Sequence, residues 1–218
     1  MSKHKATGWS TIIMLLTAAA LFTGCGAKEN AELVGADSKT IEAQEKPMKW
    51  SKMPDMAIDL NKSYTAKFTT SQGEFEIKLF AHETPVTVNN FVFLANEGFY
   101  DGLTFHRIME TFMIQGGDPL GNGTGTPGYS IPDELDTEIK YEAGIVAMAN
   151  RGQANTGGSQ FFICTGPDAE NLNQNPNYSI FGKVVSGMDT VLKISKTPVK
   201  ESAPTEKVVI EKVVIVEA

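Results

Sequence analysis

Cysteine and histidine are scarce in this chain, which has two cysteines and three histidines among 218 residues. His4 lies at the N-terminus, so the chain beyond Cys25 has only His82, His106 and one thiol, Cys164. This set is a poor basis for a transition-metal site, and one thiol cannot form an internal disulfide. We therefore expect no metal and no cofactor. The apolar run around Cys164 predicts a buried strand in which the thiol acts as a small hydrophobe.

The motifs of hydrolases and phosphate-binding enzymes are also missing. No Gly-x-Ser-x-Gly turn occurs, and no serine or cysteine has an evident base partner. The glycine-rich stretch 116–128 lacks the Gly-Lys-Ser/Thr ending of a phosphate-binding loop, so we interpret it as a structural loop. Scattered carboxylates nominate no pair for glycoside hydrolysis. Hydrolysis therefore has little support.

Excess positive charge is absent, because the net charge is −7 at pH 7. Proteins that bind nucleic acid usually present a clustered basic face, so we expect no nucleic-acid partner. An acidic body is also weakly attracted to anionic lipid. Any link to a membrane must therefore come from another feature.

The N-terminus supplies such a feature. Lys3 and Lys5 precede the apolar run 11–22, which is too short to span a bilayer but suits the core of a signal peptide. The following segment, Leu21–Cys25, resembles a bacterial lipobox, with Phe22 where leucine is usual. The resemblance implies lipidation of Cys25, for example with palmitate, and an extracytoplasmic protein anchored to the cell membrane. A cleaved secretory signal that happens to contain a cysteine stays open.

Composition along the chain predicts three parts: a signal peptide over 1–24, a lipid-anchored polar tether over 25–60, and one domain over 61–218. The domain has a size that is usual for a single core. Four apolar residues in the tether are candidates for packing on the domain: Trp50, Met53, Met56 and Ile58.

Short alternating runs in the domain predict β-strands. Residues 64–70 and 74–80 alternate apolar and polar side chains around a turn, which predicts a hairpin. Thr84 and Pro85 predict a helix start, and Gly98 predicts its end. Further strands are expected at 144–149, 160–165, 178–185 and 207–216, with a second short helix at 188–194. The pattern favours an all-β fold, a β-barrel with two short helices.

The run 100–117 carries the strongest functional signal. It places Arg107 among apolar residues on two short strands, with Gln115 as the one neutral amide. A guanidinium among hydrocarbon side chains is costly to desolvate unless it has a partner or a task.

Together with residues 157–164, this run resembles the cyclophilin family of peptidyl-prolyl cis-trans isomerases. The resemblance covers about residues 62–217. It implies a closed eight-stranded antiparallel barrel capped by a helix at each end. It also implies catalysis of rotation about X-Pro peptide bonds.

Matching the family's motifs position by position implies a role for eleven residues. The catalytic residues would be Arg107, Phe112 and Gln115. Those that bind substrate would be His106, Met113, Ala149, Asn150, Gln160, Phe162, Leu172 and Tyr178. Alternatives stay open for some: Phe112, Met113 and Phe162 could be barrel core, His106 could be structural, and Arg107 could serve a salt bridge.

Two departures from the family pattern bear on the substrate. Asn171 precedes Leu172 where many relatives have tryptophan, which puts tight cyclosporin binding in doubt. Tyr178 stands where the family has a pocket histidine, so we expect altered substrate preference more than lost activity.

We therefore predict a monomeric isomerase that acts on proline-containing peptides and unfolded exported proteins and assists their folding. The alternative is a catalytically weak module that binds proline peptides or acts as a chaperone. A solute-capturing lipoprotein would need two α/β lobes, which this pattern lacks.

Overall fold

The computed structural model describes residues 49–218. The predicted signal peptide, the lipidation site Cys25 and the tether as far as residue 48 lie outside these described residues. Within 49–218, no helix combines the length and apolar character needed to cross a membrane.

One antiparallel sheet of eight strands forms the domain. The strands follow the spatial order β10-β1-β2-β7-β5-β6-β4-β3. In chain order, they are β1 (Tyr64–Thr70), β2 (Gly73–Leu79), β3 (Arg107–Met109), β4 (Met113–Gly116), β5 (Ile145–Met148), β6 (Phe161–Cys164), β7 (Ile180–Ser186) and β10 (Ile210–Glu217). A separate hairpin with a two-residue turn consists of β8 (Val199–Lys200) and β9 (Ala203–Pro204).

The predicted first hairpin is confirmed. β1 pairs with β2 in one continuous register from Tyr64 opposite Leu79 to Thr70 opposite Gly73. Its apolar side chains alternate onto the buried face, because successive side chains of a strand point to opposite sides.

Two α-helices and one 3₁₀ helix complete the domain: α1 (Pro85–Asn96), α2 (Met188–Ser195) and the 3₁₀ helix Pro167–Gln174. Thr84 is the N-cap of α1, but its hydroxyl donates to the Ile180 carbonyl at 3.2 Å instead of capping the helix. Glu134 caps α1, since its carboxylate accepts from the backbone N–H of Val86 at 3.0 Å and of Thr87 at 2.8 Å.

The expected closed barrel is not confirmed, because the edge strands β3 and β10 do not pair with each other. The loop before β3 does approach β10: Gly102 N–H donates to Ile210 O at 2.8 Å, and Ile210 N–H donates to Leu103 O at 2.7 Å. β3 itself has only three residues, and its Ile108 N–H donates to Ser202 O in the β8–β9 turn at 2.8 Å. The hairpin thus occupies the edge that a closing strand would need.

The sheet packs apolar side chains on both faces. On β6, Phe161 and Ile163 belong to the main core, whereas Phe162 and Cys164 belong to a second cluster on the other face. Helix α1 packs on the face of the sheet that carries the main core, and the second cluster lies on the opposite, outer face. Burial raises the pKa of Cys164 to about 12, so the thiol stays protonated at neutral pH.

Part of the predicted tether contacts this domain. Trp50 and Ile58 are partly buried against the main core, whereas Met53 and Met56 are exposed. The predicted boundary at residue 60 stays a prediction.

Candidate active site

The strand register sets a row of polar and aromatic side chains on the outer face of the sheet. Arg107 on β3 is opposite Gln115 on β4, and Gln115 is opposite Phe162 on β6. Since paired residues share a face, these three side chains project from the same side. Arg107 is exposed, whereas its neighbour Ile108 is buried in the main core. The guanidinium therefore avoids the desolvation that a buried position would impose, because alternation along β3 buries Ile108 and leaves Arg107 on the exposed face.

A cavity of about 680 Å³ opens over this row. That volume is in the range of small-molecule and peptide side-chain sites. Nine of the eleven predicted site residues line it: His106, Arg107, Phe112, Met113, Gln115, Ala149, Asn150, Phe162 and Tyr178. These residues come from distant parts of the sequence, so the fold, rather than local sequence, brings them together.

The other two predicted site residues do not line this cavity. Gln160 lines a smaller adjoining cavity of about 110 Å³ that shares Gln115 with the first, and its side chain holds Gln115 and the loop 117–128. Leu172, on the 3₁₀ helix, packs against the outer cluster that contains Met113 and Phe162.

The guanidinium of Arg107 has a neutral partner. It donates from Nη1 to Gln115 Oε1 at 3.4 Å, and from Nη2 to the sulfur of Met109 at 3.2 Å. Among the described residues, no carboxylate lies within 4.0 Å of it, so the salt-bridge alternative for Arg107 has no support. An arginine has five N–H donors, and these two long contacts leave donors free for a ligand.

Gln115 is in turn held by its neighbour. Its Nε2 donates to Gln160 Oε1 at 3.0 Å. Gln160 Nε2 donates to two loop carbonyls, Gly123 at 3.1 Å and Gly125 at 2.9 Å. These bonds fix which end of each amide faces which partner, so Gln115 must present its oxygen to Arg107.

The floor of the cavity is apolar. Met113 and Phe162 are nearly fully buried, and the rings of Phe162 and Tyr178 meet edge to face at 5.3 Å. The Tyr141 hydroxyl donates to Tyr178 O at 2.7 Å and accepts from Tyr178 N–H at 3.2 Å, which fixes the backbone of Tyr178. Burial raises the pKa of Tyr141 to about 12, so this hydroxyl keeps its proton. The side chain of Tyr178 thus forms one wall of the cavity.

One strand end offers backbone to a ligand. The side chain of Asn150 is already occupied, since Nδ2 donates to Asn177 O at 2.8 Å and Oδ1 accepts from Gly152 N–H at 3.0 Å. Contact between Asn150 and a peptide would therefore use its main chain. Ala149 lies beside it with its N–H donated to Gln160 O at 2.9 Å.

His106 is half-buried, and both of its ring nitrogens are buried without a hydrogen-bond partner among the described residues. Burial lowers its pKa; Asp118 opposes this shift and Arg107 adds to it. The ring is therefore neutral at neutral pH. It lines the cavity beside Arg107 and adds no positive charge there.

Sequence reasoning missed two walls of the cavity. Gly121, Asn122 and Gly123 come from the glycine-rich loop, which the sequence indicated only as structural. Glu201, Ser202 and Ala203 come from the β8–β9 hairpin. Its turn needs positive φ at both central residues, 54° and 70° here, and Asn-Gly normally signals such a turn. Glu-Ser gives no comparable signal.

Comparison with known proteins gives consistent results. The profile of the family described as "Cyclophilin type peptidyl-prolyl cis-trans isomerase/CLD" matches residues 65–215. "Peptidyl-prolyl cis-trans isomerase B" of Bacillus subtilis is 44% identical over 144 residues, covering 65% of this chain and 98% of that protein. "Peptidyl-prolyl cis-trans isomerase-like 2" of Rhizopus delemar is 43% identical over 154 residues, covering 67% of this chain but only 27% of that protein.

Solved structures resemble the domain as well. A crystal structure of a cyclophilin type peptidyl-prolyl cis-trans isomerase from Cryptosporidium parvum has a TM-score of 0.66 and 34% identity. The match covers 70% of this chain and 97% of that chain. The same protein was solved in the presence of the dipeptide Ala-Pro; that structure has a TM-score of 0.64 and 34% identity, with 69% and 98% covered.

Proposed function

Because the chain belongs to the cyclophilin-type peptidyl-prolyl cis-trans isomerase family, and is such an isomerase, we propose that Arg107 is its catalytic hydrogen-bond donor. The observation that carries this proposal is the exposed guanidinium in the wall of the cavity, with a neutral amide and no carboxylate beside it among the described residues. A carboxylate would compete with the substrate for the same N–H groups.

The barrier to be lowered comes from the partial double bond between carbonyl carbon and prolyl nitrogen, about 18–20 kcal/mol. When the bond twists, the nitrogen lone pair localises and becomes a better acceptor. A guanidinium that donates to this nitrogen binds the twisted state more strongly than either planar state, which is the requirement for catalysis. A charge-assisted hydrogen bond contributes about 1.5–3 kcal/mol, or roughly one to two factors of ten in rate.

The rest of the rate enhancement must come from holding the substrate. The apolar floor of Met113, Phe112 and Phe162 is suited to the prolyl ring, and Gln115 aims the guanidinium. The backbone at Ala149 and Asn150 is suited to the chain on one side of the proline. Support for proline binding comes from the Cryptosporidium parvum relative, which was solved with Ala-Pro present. No proton transfer is needed, so the neutral His106 takes no part as a base.

A protease-coupled X-Pro peptide assay on the full chain tests this role. Arg107→Ala should lose most of kcat/KM, and Arg107→Lys should keep only part, because lysine has the charge but not the planar fork. Lys183→Ala is the matched control, since it removes an exposed cation outside the cavity lining that pairs with Glu142. Equal rates for Arg107→Ala and Lys183→Ala would refute the role of Arg107.

We further propose that this isomerase works outside the cytoplasm, tethered to the membrane by lipid on Cys25, and assists the folding of exported proteins. The support is the N-terminal sequence: Lys3 and Lys5, the apolar run 11–22 and the lipobox-like Leu21–Cys25. Uncatalysed prolyl exchange takes about 10–100 s, so it can limit folding after export. Cleavage before Cys25 that globomycin blocks, with a diacylglycerol mass on the mature N-terminus, is the expected result. An unmodified N-terminus at another residue would refute it.

A further inference from the structure

We propose that residues 50–60, called the strap below, are part of the isomerase and that Trp50 is a positioning residue for its active site. The strap would act by holding the loop 117–128, which forms one wall of the cavity. This inference rests on the proposed role of Arg107 and Gln115, and it assigns a function to a segment that the sequence indicated as a tether with apolar residues that could pack on the domain.

Trp50 joins the end of the loop to the main core. Its backbone N–H donates to Pro127 O at 2.8 Å. Its indole meets the ring of Phe93 edge to face at 5.3 Å and lies 5.9 Å from that of Phe99. The side chain is thus wedged against α1 and the chain after it, while the backbone holds the loop.

The loop is shaped to accept the strap. Gly128 has a φ of +98°, and a Cβ at this position would lie 2.4 Å from the carbonyl oxygen of Trp50. Only glycine allows both the conformation and the close approach. The position next to Pro127 is therefore fitted to the strap itself and not merely to a turn.

The other end of the strap is fixed by a buried amide on α1. Asn89 Oδ1 accepts from the N–H groups of Ala57 at 2.8 Å and Ile58 at 3.2 Å, and Nδ2 donates to Asp55 O at 3.1 Å. Both polar atoms of this nearly buried side chain thus serve the strap. Two fixed ends make the segment a brace rather than a loose extension.

The loop needs bracing because five of its residues between 117 and 128 are glycine, which has the largest backbone entropy to lose. Its middle is held by the buried carboxylate of Asp118, which accepts from the N–H groups of Leu120 at 2.8 Å and Asn122 at 2.9 Å. Pro127, at its end, is buried and packs on Gly158. Trp50 is the contact from the strap that holds this end.

From the loop, hydrogen bonds lead to the guanidinium. Gly123 and Gly125 accept from Gln160, Gln160 accepts from Gln115, and Gln115 accepts from Arg107. If the loop shifts, Gln160 loses the carbonyls that fix its amide, and Gln115 loses the partner that turns its oxygen toward Arg107. Loosening the strap should therefore weaken peptide binding and misalign the guanidinium of Arg107, although the strap contacts neither the peptide nor Arg107 directly.

Steady-state kinetics of the full chain test this idea. Trp50→Ala should lower kcat/KM about three- to tenfold, mostly through a higher KM, because a wall of the cavity becomes mobile. Trp50→Phe keeps an aromatic ring against Phe93 and should restore most of the loss. Met56→Ala is the matched control, since Met56 lies on the same strap but is 52% exposed.

Hydrogen exchange separates positioning from general stability. In Trp50→Ala, the amides of residues 121–125 should exchange faster, while those of β1 and β2 stay protected at a temperature far below unfolding. Should Trp50→Ala fail to fold, the steady-state kinetics of Trp50→Leu test the inference instead, with an expected two- to threefold rise in KM.

Wild-type kinetics and loop exchange in a folded Trp50 variant would overturn the inference, as would an equal effect of Met56→Ala. These outcomes are distinct from failure of the proposed site. If Arg107→Ala is fully active, the site is wrong; if Arg107→Ala is inactive but the Trp50 variants are normal, only the strap is wrong.

Discussion

Replacing Gln115 by glutamate tests how the guanidinium is aimed. The two side chains have the same shape, but the substitution Gln115→Glu would change a neutral partner of Arg107 into a carboxylate. In the wild-type enzyme, Gln115 Oε1 lies 3.4 Å from Arg107 Nη1, and Gln115 Nε2 donates to Gln160 Oε1 at 3.0 Å. Glutamate would strengthen the first contact and abolish the second.

Both changes should reduce activity. A pair between an exposed arginine and a carboxylate is worth up to about 1 kcal/mol, and substrate must displace it. The lost bond to Gln160 costs about 1 kcal/mol, and Gln160 cannot turn its amide because Gly123 and Gly125 hold Nε2. A combined loss of about 1.5–2 kcal/mol corresponds to roughly a ten- to thirtyfold lower kcat/KM.

The assay is the protease-coupled measurement on full-length Gln115→Glu, with Gln153→Glu as control. Gln153 is exposed and lies outside the cavity lining, so it gives the same change in net charge without a new partner for Arg107. Raising the salt concentration should restore part of the lost activity, because the new ion pair is exposed to solvent. Wild-type kcat/KM in Gln115→Glu, or an equal loss in Gln153→Glu, would refute the aiming role of Gln115.

Three further outcomes follow from the charges and burial around the cavity. Burial lowers the pKa of His106 in the folded protein below its usual 6.5, so the unfolded chain binds a proton first as the pH falls. The protein should therefore lose stability below about pH 6.5, and thermal unfolding should show that this loss is smaller in His106→Gln. The value of kcat/KM should stay flat from about pH 7 to 9. Cys164→Ser buries a hydroxyl in an apolar cluster and should cost about 1–3 kcal/mol of unfolding free energy in urea, with unchanged kcat/KM for the folded protein. Glu201 is the one carboxylate among the described residues that line the cavity, so Glu201→Lys should lower activity toward a peptide with lysine beside proline, relative to one with glutamate, by about two- to fivefold at low salt.

The sequence predicts those parts of the fold that depend on local pattern. Alternation in β1 and β2 specifies a hairpin, and Phe161 and Phe162 differ in role because adjacent strand residues face opposite sides. Pro85 marks the start of α1 because its fixed φ suits the first turn of a helix.

Features that depend on distant contacts could not be obtained in this way. Arg107 is exposed because β3 turns Arg107 and Met109 outward and buries Ile108, although the neighbours of Arg107 in the sequence are apolar. The turn at Glu201 and Ser202 adopts positive φ without the residues that usually signal it. The contact between Trp50 and Pro127 joins residues 77 positions apart, and no local rule links them.

Most of the candidate site was predicted from the family motifs rather than from residue chemistry alone. Residue chemistry alone points to Arg107, because a guanidinium among apolar residues is costly to desolvate unless it has a partner or a function. It does not identify Tyr178 or Ala149 as neighbours of that arginine. The fold brings these residues to one cavity. Their individual roles stay predictions.

The most direct test of the account compares peptide binding with exchange in Arg107→Ala. Exchange NMR on an Ala-Pro peptide with the full chain yields both the Kd and the cis–trans rate of the bound peptide. If Arg107 stabilises mainly the twisted imide, the bound exchange rate should fall by roughly ten- to a hundredfold while Kd changes less than about threefold. An unchanged exchange rate, or a loss that resides entirely in Kd, would contradict the claim that this guanidinium is the catalytic donor.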